Sequence, residues 1–315
     1  KMEDFVLKVL NECSIEACEE VGLEGNGNYE IDSKIETELN GCFESCTWKL
    51  LDEIPVREQF QSGRCWMYAG LNFIKRNLLA SFHNQINPEH RQFLIDNLQF
   101  STSYLVFYEK LEKASAAFHD AVETSHLSID DPLVSYLIRI GPVRDGSDWN
   151  VFCRLIEKYG IVPESIAPDL KHTRNTKQLN STLNRRVREH FIKIRQLIDS
   201  SFLGKDDPEI QKYQIHALKD IYRVLIAHLG VPIQEFTLDS NESTLCTILN
   251  PNFNSNASHS MTPVDYFHTL THERMKLSNY CVIINDNRRL FHTVYSVKYG
   301  KNTATFKDTN LDQND

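Results

Sequence analysis

From Trp66 to Leu79 the apolar residues Trp66, Met67, Ala69, Phe73, Ile74 and Leu78 recur at helical intervals, with Ser62 and Gly63 just upstream as helix-start chemistry. The pattern predicts a helix with Cys65 at its N-terminus. A second helix is predicted from Ser103 to Thr124, with Leu105, Phe107, Tyr108, Leu111 and Ala114 inward, and a third from Asn150 to Tyr159, stopped by Gly160 and Pro163. Two longer ones follow. Thr176 to Phe202 carries Leu179, Leu183, Val187, Phe191, Ile194 and Ile198 on one stripe, and Glu209 to Leu229 ends at Gly230 and Pro232. Beyond Ile233 the chain turns to Asn, Ser, Thr and β-branched residues, and Tyr280 to Asn285 and Thr293 to Tyr299 read as strands. Residues 1–50 are acidic and loosely patterned, interrupted by glycines and asparagines between Gly22 and Asn28, and read as a peripheral arm. Helices early and strands late predict an α+β fold rather than repeating βαβ units.

With 315 residues, 41% of them apolar and 24% charged, the chain can bury a sizeable core in one large domain or two smaller ones. A net charge of −9 leaves no overall basic field, which argues against nucleic acid as the primary partner. No apolar run approaches the roughly 18 residues of a membrane span, and the opening KMEDFVLKVL places acidic residues where a signal peptide is apolar. The expectation is a cytosolic protein without a membrane partner, its eight cysteines reduced. Cys42 and Cys46, or Cys13 and Cys18, lack both the close spacing and the nearby histidine of a zinc site, so no metal is expected.

The chemistry concentrates at Cys65. A thiol becomes a useful nucleophile as its thiolate, and the partial positive charge at a helix N-terminus is one way to stabilise that form. Gly63 permits close backbone approach, Trp66 can shield the site from water, and the Gln59 amide can fold back to stabilise an oxyanion.

At this stretch the sequence resembles the papain-like cysteine peptidases, in which a glutamine precedes a Gly-x-Cys-Trp segment opening the central helix. Val56, Gln59, Ser62, Gly63, Arg64, Cys65 and Trp66 match the bleomycin hydrolase and aminopeptidase C branch more closely, the arginine being its hallmark. The resemblance continues through Phe100 to Ala114, Asp145 to Pro163, the Leu179 to Leu197 helix, Tyr222 to Thr237 and Met261 to Phe267, covering roughly Ile54 to Tyr299. Several such motifs in series are specific where one is weak.

The resemblance implies a papain-like α+β fold with a large helical insertion. Residues 1–50 would form the arm, 51–170 the nucleophile domain, 171–235 the insertion and 236–315 the start of an incomplete β-rich domain. It further implies a thiol aminopeptidase without cofactor or metal, acting on peptides and bleomycin-like amides as a ring-like homohexamer. Cys65 and Gln59 would be catalytic, while Gly63, Trp66, Gly146 and Ser147 would bind substrate.

Three departures qualify this. Glu58 replaces the asparagine usual before the glutamine, and Phe60 falls in a linker that is otherwise polar. The family's Gly-Gly pair, which meets the substrate backbone, reads Gly146-Ser147. Papain-type catalysis also needs a histidine and an asparagine followed by Ser-Trp, yet no tryptophan follows Trp149. Papain spacing of ~130 to 150 residues points to His190 or His216, but both fall in long amphipathic helices. His259 precedes Met261 to Phe267, a segment that in the family lies ahead of the catalytic histidine. The sequence is therefore expected to stop before the His/Asn half and to be inactive alone. The alternative is a degenerate homologue that binds peptides or co-assembles.

Overall fold

In the computed structural model, residues 54–310 are described, apart from 82–86, 202–203, 205–206, 255–259, 273–274, 281, 285, 287, 289 and 299–304. The peripheral arm, the Cys13/Cys18 and Cys42/Cys46 pairs and His259 lie outside the described residues.

The chain runs α1 (Cys65–Ser81), α2 (Pro88–Asn97), α3 (Thr102–Glu123), α4 (Pro132–Arg139), α5 (Trp149–Tyr159), α6 (Lys171–Arg174), α7 (Lys177–Ser201) and α8 (Pro208–Leu229). β1 (Phe236–Thr237), α9 (Ser240–Leu249), β2 (Ser260–Met261) and α10 (Pro263–Thr271) follow, and the chain closes with β3 (Val282–Ile284), β4 (Thr293–Lys298) and β5 (Thr305–Asn310). β1 and β2 pair antiparallel, Phe236 opposite Met261. In the second sheet β5 is central, parallel to β3 and antiparallel to β4. The architecture is α+β, as the order of periodicities predicts.

α3 is the axis of the helical part. Every residue from Thr102 to Leu111 is buried, a full circumference rather than the one stripe expected from sequence, because α3 is enclosed by α1, α5, α7 and α8. Tyr108 stacks on Tyr159 of α5 at 4.0 Å between ring centres. Burial on all sides also encloses Glu109 and Lys110, which pair with each other at 3.1 Å.

The five predicted helices form within a residue or two of their expected limits. Four others, α2, α4, α9 and α10, start where a side chain accepts a hydrogen bond from the first turn: Asn87, Asp131, Asp239 and Thr262. In three of these a proline follows the cap directly, in the position where its missing N–H costs nothing. The region after Ile233, read as strand-rich, thus contains α9 and α10 before its sheet. Gly160 ends α5 at φ +70°, and a Cβ there would lie 2.1 Å from the Pro263 carbonyl carbon. That close approach seats the end of α5 against the start of α10, where Ile161 N–H donates to Pro263 O at 3.1 Å.

Candidate active site

Cys65 is exposed and is the first residue of the 17-residue α1, whose first turn contains no acidic residue. The Arg64 carbonyl accepts the Tyr68 N–H at 3.1 Å, so Arg64 is the residue from which the helix departs. The N–H groups ahead of Tyr68 have no acceptor within the helix and leave the partial positive charge of the helix start around the thiol.

The turn before Cys65 is held from two sides. On one, Gln61 lies beside Asn175: Gln61 N–H donates to Arg174 O at 3.0 Å, Thr176 N–H to Gln61 O at 3.3 Å, and the Asn175 amide to Gln61 Oε1 at 2.6 Å. On the other, Arg64 is buried at 2% exposure. It donates through Nε to Ser62 Oγ at 2.9 Å, to Thr102 Oγ1 at 2.6 Å, and in a fork to the two oxygens of Asp169 at 2.5 and 3.0 Å. Its guanidinium also lies 5.3 Å from the Tyr68 ring centre. The hallmark arginine therefore points inward, and its planar fork joins the turn before Cys65 to the start of α3 and to the segment before α6. Burial would raise the Asp169 carboxyl, but hydrogen bonds from Arg64 and Ser103 and the arginine charge bring it below its ordinary value.

Of the other sequence candidates, Gln59 is half-buried and joins the same turn through its carbonyl, which accepts from Ser62 Oγ at 2.5 Å. Its Oε1 is shielded from solvent and without a hydrogen-bond partner among the described residues. Trp66 is half-buried against the core. Gly63 and Gly146, far apart in sequence, come together: a Cβ on Gly63 would stand 2.4 Å from Asp145 Cβ and 3.3 Å from Gly146 N. Gly146 itself is exposed at φ +85° with open space around it, and Ser147 is half-buried. Glu58 is exposed, so its charge faces solvent, and Phe60 lies under the Arg174 guanidinium at 4.8 Å.

Asp145 was not singled out from sequence, yet it touches the Gly63 turn directly, accepting the Gly63 N–H at 3.3 Å. Burial pushes its carboxyl up, but the Lys110 ammonium, with hydrogen bonds from Lys110, Thr176 and Asn180, holds it at about 2. Its signal was its place at the head of the Asp-Gly-Ser-Asp-Trp motif.

His190 lies between α7 and α8, its ring nitrogens 3.1 Å from Tyr213 OH and 3.1 Å from Asp220 Oδ2, while His216 is exposed on α8. Among the described residues no histidine hydrogen-bonds to Cys65, and no three His, Cys, Asp or Glu side chains converge as a metal site.

The chain resembles known proteins along most of its length. It is 29% identical over 276 residues to aminopeptidase C of Lactobacillus helveticus, which covers 87% of this chain and 56% of the relative. It is 29% identical over 259 residues to bleomycin hydrolase of Rattus norvegicus, covering 81% and 52%. The chain spans about half the length of the curated relatives it matches. Among solved structures, the crystal structure of PepW from Lactobacillus rhamnosis superposes with a TM-score of 0.62 at 23% identity, over 90% of this chain and 66% of that one, which shows a shared fold. The Peptidase C1-like family matches residues 2–312, and with the papain-like α+β fold in place, the chain belongs to that family.

Proposed function

We propose that this chain carries the nucleophile half of a cysteine-type aminopeptidase, with Cys65 as the attacking thiolate. The observation that supports it most is an exposed thiol on the first residue of a long helix, on a turn immobilised by the buried Arg64–Asp169 fork. In this reading the thiolate attacks a peptide carbonyl carbon, and the carbonyl π electrons move onto oxygen. The Gln59 amide and the Cys65 N–H donate to that oxyanion. Gly63, Trp66, Gly146 and Ser147 line the substrate, with the Gly146–Ser147 backbone pairing with that of the peptide. The tetrahedral adduct then collapses, the amine leaves with a proton from an imidazolium, and water hydrolyses the thioester. The histidine for those proton transfers is not placed at Cys65 by the described residues.

The proposed substrates are peptides cleaved from their amino ends and amides of the bleomycin kind, a reading that the relatives' names support. A homohexameric ring in the cytosol belongs to the same proposal, with residues 51–170 as the nucleophile domain and 171–235 as its helical insertion. Among the described residues no helix is long and apolar enough to cross a membrane. The second reading is a peptide-binding or co-assembling homologue, favoured by Ser147 at the proposed substrate-backbone position.

Treatment with a peptidyl epoxysuccinyl reagent followed by peptide mapping distinguishes the two. Covalent labelling at Cys65 that disappears in Cys65→Ser is expected. Cys153 and Cys246, whose thiols burial pushes up, are expected to react only after denaturation. A wild-type chain that binds peptide but resists the reagent would overturn the peptidase reading in favour of the second.

A further inference from the structure

The nucleophile turn and the Gly146–Ser147 loop come from distant parts of the chain, and one carboxylate joins them. Asp145 Oδ2 accepts from Gly63 N–H at 3.3 Å and from Thr176 Oγ1 at 2.6 Å, while Oδ1 accepts from Lys110 Nζ at 2.7 Å. Lys110 lies in the fully enclosed part of α3 with 2% of its side chain exposed, and it pairs with Glu109 as well. Nearly one turn further along α3, Lys113 donates to the carbonyls of Arg144 and Gly146, each at 2.7 Å, and pairs with Glu109. The buried Lys110 and the half-buried Lys113 of α3 thus hold the segment 144–146 at three points.

Such an arrangement is a poor way to gain stability. Desolvating charges costs about as much as their attraction returns, and well-packed apolar side chains do as well or better. What directed charges do supply is a fixed geometry. The contact between Gly63 and Asp145 leaves no room for even a methyl group, so a displacement of one segment must displace the other.

Taking the roles assigned above to Cys65 and to the Gly146–Ser147 loop, we infer that Asp145 is a positioning residue for the peptidase reaction. With Lys110 as counter-ion, it sets the distance between the backbone of the nucleophile turn and the loop that pairs with the substrate backbone. A peptide held by the loop then presents its carbonyl to Cys65. The residue acts through the two segments it connects and does not touch the reacting atoms.

The test uses the 315-residue chain as wild type, Asp145→Ala, Asp145→Asn and the milder Thr176→Val, which removes one of the hydrogen bonds to Asp145. Hydrogen–deuterium exchange over residues 61–66 reports the tie itself. Inactivation by the peptidyl epoxysuccinyl reagent, resolved into KI and kinact, reports substrate placement, and alkylation by iodoacetamide reports the bare thiol. Asp145→Ala is expected to lose protection over 61–66 and to raise KI by about tenfold, with the iodoacetamide rate within about twofold of wild type. Asp145→Asn keeps an acceptor for Gly63 and Thr176, so it should recover most of both, and Thr176→Val should fall between. Unchanged protection and KI in Asp145→Ala, or in Thr176→Val should the alanine variant not fold, would overturn the inference. So would equal losses with both reagents, since that marks general structural support. A wild-type chain inert to the peptidyl reagent overturns the peptidase reading and this role with it. If the reagent works and only the exchange prediction fails, Asp145 alone is misassigned.

Discussion

Arg64 lies at 2% exposure, opposite a carboxylate of 8% side-chain exposure, one residue before the proposed nucleophile. Removing one partner of such a pair leaves the other charge buried and unpaired, at a cost of about 3 kcal/mol or more. Arg64→Ala is therefore expected to lower the unfolding free energy by about that amount in urea titration. Arg64→Lys should fail to restore it, because an ammonium cannot serve Ser62, Thr102 and both Asp169 oxygens together. A lysine variant as stable as wild type would show that charge alone suffices. The same carboxylates respond to acid. Asp145 and Asp169 bind protons less readily folded than unfolded, so their contribution is complete above the ordinary value of 3.8 and is lost as pH falls, for Asp145 toward about 2.

Between elements, α9 and α10 meet through a group with the opposite sign. Glu242 of α9 is 5% exposed, and its carboxylate accepts a hydrogen bond from Tyr266 OH of α10 at 2.5 Å. Burial pushes its carboxyl up to about 7 from the ordinary 4.5; the Tyr266 hydrogen bond opposes this, and Asp239 at the N-cap of α9 adds to it. The folded protein therefore holds a proton that the unfolded chain has released between those values. Its stabilising effect is complete below pH 4.5 and lost as pH rises through about 7. At most ~1.4 kcal/mol per pH unit is involved, so Glu242→Gln is expected to remove roughly 2 kcal/mol of the stability difference between pH 5 and pH 8. Identical pH profiles for the two proteins, measured by denaturant unfolding, would place the titrating group elsewhere.

For the whole molecule, the proposed homohexamer makes the most direct prediction: sedimentation of the 315-residue chain should return six copies per particle, whereas a monomer would overturn the hexamer proposal. The helical framework needed no tertiary information. Leu179, Leu183, Val187, Phe191 and Ile194 fall on one stripe because 3.6-residue periodicity is local, and each of these residues is buried. The asparagine, aspartate and threonine caps of the helices that periodicity missed are equally local, since a cap and the amide it satisfies lie two or three residues apart. Cys65 at a helix start, and the family resemblance around it, were likewise legible in the sequence. The inward aim of Arg64, the charges sealed inside α3 and the meeting of Gly63 with Asp145 were not. Each depends on contacts 35 to 105 residues apart, and sequence spacing carries no record of which buried charge will find which partner. The order of residues determined the helical elements and set Cys65 at a helix start; only their packing decided what holds that turn in place.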